Sequence, residues 1–542
     1  MNSGFDVKST FIEYKDMLFK SKKYWLIYLL LIIIFGLSTA VNRNLMRSQF
    51  TFFTFIVVAV LGVFYIVFYF LHDSDEELHK VAFVVILCFG IVCALIVPIC
   101  DVSDETEHLT RAEITSRGIL IPHWTGEDIG VSSLFNHTAG VYSNQRNDGA
   151  GFHTIGSIKF FTTYLGYTVF DTLHDTDKIN HTPLLVESAF EQNPFFGYLP
   201  QAFGIFIAKL LDLNVIWMLW LARLCNIIFY AAVISLAIRK TPVLKLPLLA
   251  VATIPISIYQ SASVSIDCMI IALGILSVSY FIYMYQAEEK SITVKEISIF
   301  TVICILLGLC KLTYLAFIFL LLLVPFKNYQ KDTKNILPIL LISFVAVAVI
   351  GFLWSKYSTP TLLHSWRASR NLVNSSLQIE YFMSNSTFRI DFFKTIFLRD
   401  VKHLANGVFS FFGARQVIDH YTDHYLLVTF PLLGYLATVL LFYPQKIKFE
   451  LKTRLVTACL IVIIFVATCF IQLLTWAFIG QFNLGLSLRY FIPLFALIPI
   501  VFGGIKCIPI ERKVFDKYAV VLMISFLAAM IVSFSFKYYY LF

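Results

Sequence analysis

Long apolar runs separated by short basic loops dominate the chain, and two long polar stretches interrupt them. The apolar runs fall at 26–41, 52–71, 81–100, 214–238, 246–260, 266–286, 335–355, 425–443, 455–477, 488–505 and 518–536. Runs of about 17–25 apolar residues cross a bilayer core as helices. Only helices and closed barrels satisfy backbone groups in lipid, and these runs are too long and uniform for barrel strands. A longer run, 297–326, carries "CKLTY" in its middle and predicts two short helices meeting at Lys311. The expected fold is an all-α polytopic membrane protein with about thirteen spans. Its organisation is 1–80, an N-terminal segment with two extra spans; 81–505, the main membrane domain; and 506–542, a basic loop with the last span.

Lys and Arg in short loops mark the cytoplasmic side. Lys8, Lys15, Lys20, Lys22 and Lys23 precede the first run, so the N-terminus is expected inside and residue 101 outside. Loops 239–245, 327–334, 446–454 and 506–517 are basic and fall inside. Parity then makes 297–326 cross twice and lays 195–212, "FFGYLPQAFGIFIAKLLD", along the outer surface as an amphipathic helix. The stretches 101–213 and 356–424 face out, and loops of that length are uncommon unless functional or separately folded. The first run ends in "GLSTAV", which mimics a cleavage site, but the following spans need an inserted start, so it reads as a retained helix.

Composition agrees with this picture: 58% of residues are hydrophobic and 14% charged, against about 25% charged in soluble domains. The net charge of +8 is scattered over many loops and is no nucleic-acid signature. All ten Cys sit in or beside apolar runs, which argues against a disulfide framework or a thiolate metal site. Lys-, Ile- and Phe-rich usage with this Cys pattern suggests a bacterial plasma membrane.

Against this background "ICDVSDETEHLTRAEITSRG" at 99–118 stands out. Residues 104–116 lack Pro and Gly and predict a short helix with Asp104 or Ser103 as N-cap and Glu107 three residues after Asp104. Asp104, Glu107, His108 and Arg111 recur at i, i+3, i+4 and i+7, hence on one face. The bland reading is a capped, solvated helix with a Glu107–Arg111 pair. Its position at the membrane surface favours a chemical role, because acids and a His there bind a divalent cation or take a hydroxyl proton. A D-x-D in "HDSDEE" at 72–77 lies in a short cytoplasmic loop and reads as capping of the third helix.

Isolated polar groups reach the same expected face: Arg223 in "WLARLCN", Asp267 in "QSASVSID", Lys311 at the bend, and Arg489 with Tyr490 in "LSLRYFIP". Ionisable residues inside spans are costly and are functional candidates by default. Each alone is equally well a snorkelling or capping residue. Together they predict a cation-rich, acid-containing pocket that suits a phosphate or pyrophosphate headgroup.

At these residues the sequence resembles the DUF2142 bacterial membrane proteins, often grouped with the GT-C glycosyltransferases. "DETEHLTRAEITSRG" looks like their D-E-x-x-H-x-x-R-A pattern. "NPFFGYLPQAFG" (193–204), "LARLCN" (221–226), "LPLLAVATIPISIYQSASVSID" (246–267), "KLTY" (311–314), "SLQIEYFM" (376–383), "FSFFG" (409–413) and "LRYFIPL" (488–494) follow in order. The resemblance covers about residues 85–505. Protein mannosyltransferases and lipid A aminoarabinose transferases are looser relatives in this view. The family reads closer to Q-G-R-Y where this chain has Ser487 and Leu488 before Arg489, and residues 1–80 are unexplained by it.

The resemblance implies a polyprenyl-phosphate-linked sugar as donor and a glycan or lipid acceptor outside the cytoplasm. Such a transfer needs a base for the acceptor proton and cations for the departing phosphate. Asp104 is the expected base, with Glu105 beside it as a second catalytic carboxylate or metal ligand. His108, Arg111, Arg223, Asp267, Lys311, Gln378, Arg489 and Tyr490 are the expected substrate-binding residues. Arg223, Lys311 and Arg489 would serve the phosphate. Asp104, Glu105 and His108 are the set that would hold a divalent cation, Mg or Mn, if one is used. Direct attack would invert the anomeric centre. Trp124, Tyr198 and Trp366 are candidates to stack on sugar faces. The alternatives are a transporter or flippase of lipid-linked glycans, and a non-catalytic subunit of polysaccharide assembly.

Overall fold

The fold was analysed in a computed structural model of the 542-residue chain. The structure describes residues 7–43, 49–122, 151–155, 166–172, 176–187, 190–363, 373–401, 428–445, 447, 449–482, 484–503 and 509–539. Trp124, Trp366 and the 409–413 motif lie outside the described residues.

Among the described residues, seven helices are long and apolar enough to cross a membrane. They are α1 (Gln49–Leu71), α2 (Leu78–Ile96), α3 (Val215–Lys240), α4 (Asp267–Tyr285), α5 (Thr333–Leu363), α6 (Leu451–Thr475) and α7 (Arg512–Tyr538). The first apolar run forms a further helix, Lys22–Arg43. Three other runs are built from shorter pieces. Run 246–260 splits into Lys245–Ala252 and Pro255–Ser261, because Pro255 lacks the N–H that would continue the ladder. Run 488–505 becomes a 3₁₀ turn, Leu488–Tyr490, then Ile492–Phe495 and Ile498–Phe502, with Pro493 and Pro499 each in a first turn. Run 297–326 forms Val294–Cys310 and a 3₁₀ helix, Leu312–Leu323, with Lys311 extended between them (φ −154°, ψ 104°). Val294–Cys310 starts in a capping box, Thr293 accepting from Lys295 N and Glu296 from Thr293 N.

The polar stretches contribute the acidic helix Glu105–Ser116, the surface helix Leu199–Leu210 and a two-stranded antiparallel ladder. In that ladder Gly151 pairs with Glu187 and Ile155 with Pro183. The helical expectation holds for the apolar part of the chain, and the ladder adds a small strand element to it.

Burial separates centre from periphery. The most apolar windows of α4 and α7 are 94% and 89% buried, against 28% for α5 and α6. The N-terminal helices pack on the C-terminal one: α7 contacts both Lys22–Arg43 and α1. Tyr28 Oη donates to Val58 O at 2.6 Å to join those two helices. The surface helix Leu199–Leu210 packs on α3, burying Gln201, Ala202, Ile205 and Ala208. Its Leu199, Phe203, Phe206 and Leu210 are exposed, so an apolar face remains on the outside.

The ends of α2 define two poles. Beside its start, Asp73 lies 3.4 Å from Lys517 Nζ, Asp75 pairs with Arg512, and Lys245 Nζ donates to Asp75 O at 2.6 Å. Beside its end, Asp101 meets Lys537 at 3.6 Å and Tyr538. The D-x-D is therefore no cap. Glu77 occupies the N-cap of α2 without a side-chain bond, and both aspartates reach the start of α7 instead. They line a cavity of about 300 Å³ with Arg512, Lys513 and Asp516.

Candidate functional site: a charge cluster at the end of α2

Directly after α2 the chain turns twice through the left-handed region, at Cys100 (φ 54°) and Asp104 (φ 65°). Asp tolerates this conformation better than most residues, because its short polar side chain bonds locally. The turn brings Asp104 to the N-cap position of the acidic helix, but its side chain makes no capping bond. It pairs with Arg489 instead.

Arg489 is the hub. It sits in the 3₁₀ turn Leu488–Tyr490 and is 5% exposed. One terminal nitrogen meets Asp104 Oδ2, the other donates to Ser103 O at 3.2 Å, and Nε lies 3.2 Å from Asp267 Oδ2. Asp267 is the first residue of α4, where a carboxylate also faces the positive end of the helix dipole. Its N–H donates to Ser265 Oγ at 3.2 Å. Lys311 Nζ stands 3.5 Å from the Tyr490 ring centroid, and the Arg489 guanidinium carbon is 5.5 Å from the same ring. Tyr314 Oη donates to Tyr490 O at 2.6 Å and fixes that turn. Asp104, Asp267, Lys311, Arg489 and Tyr490 are thus gathered from four separate chain segments.

Glu105 and Arg223 form a different arrangement, only one residue away. Arg223 Nε donates to Glu105 Oε1 at 2.8 Å and an Nη to Glu105 Oε2 at 2.5 Å. The remaining N–H groups go to Ala94 O, Val97 O and Pro98 O at 2.8–2.9 Å. A guanidinium has five N–H donors, and all five are used. Glu105 Oε1 also accepts from Val264 N at 2.9 Å. Both side chains are fully buried. This corrects two expectations. Arg223 has no donor left for a phosphate, because it satisfies the carbonyls that close α2. Glu105 has its two oxygens on Arg223 and Val264, which leaves it a structural anchor.

The rest of the acidic helix is also buried, ten of its twelve residues, so the solvated reading is overturned. His108 Nδ1 is 2.6 Å from Tyr198 Oη, and its ring stacks on Phe190 at 4.1 Å. Tyr198 Oη accepts from Asn193 Nδ2 at 2.9 Å. Arg111 donates to Asn193 O, Leu120 O and Thr115 Oγ1 at 2.6–3.3 Å. Burial pushes its guanidinium below the ordinary arginine value, with Glu191 opposing. Glu113 pairs with Lys209 at 2.6 Å and Arg117 at 3.0 Å. These bonds fasten the acidic helix to the "NPFFGYLP" segment and the surface helix, so His108 and Arg111 position it.

The expected metal set is not assembled. Asp104 faces Arg489, Glu105 faces Arg223 and His108 faces Tyr198. Among the described residues no group of three or more His, Cys, Asp or Glu is arranged to hold a metal ion. Gln378 is buried on helix Ser375–Ser384, where its Oε1 accepts from Gly480 N at 2.9 Å. That bond ties the helix to the turn after α6.

A polytopic helical membrane protein with two carboxylates and two cations drawn together at one pole is the class these observations define. The family described as "Predicted membrane protein (DUF2142)" matches residues 87–498, about three quarters of the chain, and the chain belongs to it. The match spans the whole cluster from Asp104 to Arg489 and both anchoring residues, Glu105 and Arg223. No curated protein and no solved structure matches the chain.

Proposed function

We propose that this membrane protein is a glycosyltransferase that moves a sugar from a polyprenyl-phosphate donor to a cell-envelope glycan or lipid acceptor. The pole bearing Asp104 would face away from the cytoplasm in a bacterial plasma membrane, the side favoured by the basic short loops, with Arg43 and Arg47 dissenting. The observation that supports this reading is the convergence of Asp104 and Asp267 on Arg489, and of Arg489 and Lys311 on the Tyr490 ring.

Lys311 and Arg489 would hold the phosphate as it leaves, where charge develops. Their charges are balanced by the two aspartates, so the arriving anion competes with Asp104 for Arg489. That competition frees the Asp104 carboxylate to accept the acceptor's proton. Asp267 keeps the Arg489 fork oriented. The C–O bond to phosphate breaks, the acceptor oxygen bonds to the anomeric carbon, and the phosphate carries the electron pair away. Direct attack inverts that carbon. No step requires a metal held by Glu105 or His108.

The test compares lipid-linked glycans from cells carrying the wild type, Asp104→Asn and Lys311→Ala. Accumulated donor with a shortened glycan is the expected result. Donor trapped on the cytoplasmic leaflet points to a flippase, and unchanged glycan in both variants points to a non-catalytic subunit.

A further inference from the structure

The pole opposite the charge cluster holds the cavity of about 300 Å³ beside the start of α2. That volume is at the lower end of the range for small-ligand sites, about 300–1,000 Å³. Its wall comes from three parts of the chain. Tyr69 at the end of α1 and the loop carrying Asp73 and Asp75 form one side. Leu246 of helix Lys245–Ala252 forms another, and Arg512, Lys513 and Asp516 in the first turns of α7 close the third. All of the lining residues except Leu246 fall outside 87–498, so the flanking segments build this cavity rather than the matched core.

Every acid in the wall already has a partner. Asp73 meets Lys517 at 3.4 Å and Asp75 pairs with Arg512. Asp516 Oδ1 accepts from Tyr443 Oη at 3.0 Å, and Arg512 Nε lies 3.5 Å from its Oδ2. The cations are not all taken up. Lys513 makes no ion pair or hydrogen bond with any described residue. Arg512 uses Nε and one terminal nitrogen on Tyr443, Asp516 and Asp75, and its second terminal nitrogen has no partner among the described residues. Lys245 Nζ, which donates to Asp75 O at 2.6 Å, brings a further positive charge to the rim. Both α2 and α7 start here, and the positive ends of their dipoles carry the same sign as these side chains. What the cavity leaves unanswered is positive charge.

We infer that this cavity binds a phosphate group, with Lys513 and Arg512 on its oxygens and Leu78 and Leu246 against the carbon chain that carries it. A guanidinium edge and a flexible ammonium both match phosphate oxygens. A divalent cation fits less well, since the acids are already paired. Among the described residues no group of three or more His, Cys, Asp or Glu is arranged for one. The cavity sits at the ends of three membrane helices, α1, α2 and α7, beside the basic loops 239–245 and 506–517. Basic pockets in that position take anionic lipid headgroups, which makes a lipid the source of the phosphate. The site lies at the other end of α2 from Asp104, so it stands apart from the transfer reading.

The experiment is native mass spectrometry of the full chain in detergent. The probes are phosphatidylglycerol, diacylglycerol with the same tails, and glycerol 3-phosphate. Phosphatidylglycerol should bind well above diacylglycerol, which lacks the phosphate. Lys513→Gln should weaken the lipid about fivefold, Lys513→Glu should weaken it further, and Lys513→Arg should retain it. Lys513 is exposed and unpaired, so these variants should fold. Lys327→Gln, at an exposed lysine remote from the cavity lining, should change nothing. Glycerol 3-phosphate bound as tightly as the lipid, with the same dependence on Lys513, keeps the phosphate site and makes a soluble ester its ligand. Diacylglycerol bound as tightly as phosphatidylglycerol, no phosphate probe bound at all, or binding indifferent to Lys513→Glu overturns the inference.

Discussion

Arg223 spends every N–H it has on Glu105 and on three carbonyls at the end of α2. An intramembrane arginine beside a catalytic candidate here acts as a brace. It closes the helix and fixes the turn that delivers Asp104.

Removing one partner of this pair should therefore unfold the site. Arg223→Ala leaves a buried carboxylate and three unsatisfied carbonyls, a loss of about 3–5 kcal/mol. Arg223→Met combined with Glu105→Leu should recover part of it, since no charge is left unpaired. Melting midpoints in detergent check this, and a double variant no better than the singles counts against it.

Lys311→Met should separate stability from function. Its ammonium stands over the Tyr490 ring, so an apolar replacement of similar length should leave the melting midpoint equal or higher. Donor should still accumulate in cells carrying it. A variant that both melts early and accumulates no donor contradicts the role assigned to Lys311.

Arg489→Lys tests the fork. One ammonium cannot meet Ser103 O, Asp104 and Asp267 in the same geometry. Transfer should fall by about a hundredfold or more while the protein still folds. Near-normal glycan in cells carrying Arg489→Lys would show that charge alone suffices.

Tyr198→Phe tests the fastening of the acidic helix. The hydroxyl serves both His108 and Asn193 in a buried setting. Its loss should cost about 1–3 kcal/mol. The change should appear in the melting midpoint and in amide exchange of residues 105–116.

Much of the site was legible because its residues are chemically out of place. Lys311 and Arg223 interrupt apolar runs, and that anomaly marks them whatever their role. Their roles were not legible. Arg223 and Arg489 look alike in sequence, and only the positions of Glu105 and the α2 carbonyls on one side, and Asp104 and Asp267 on the other, make one a brace and the other a hub. The small polar run "SASVS" at 261–265 was the available hint of the backbone that receives Glu105, Gln201 and Asn226.

The sequence alone determined the membrane class, the positions of most long helices and the bend at Lys311. Hydrophobic length, proline and isolated charge act locally, so they can be read along the chain. Tertiary structure decided which charges pair and which stay available. Pairing depends on which helix ends meet in space, and Arg489 reaches the left-handed turn at Asp104 from a segment 385 residues further along the chain.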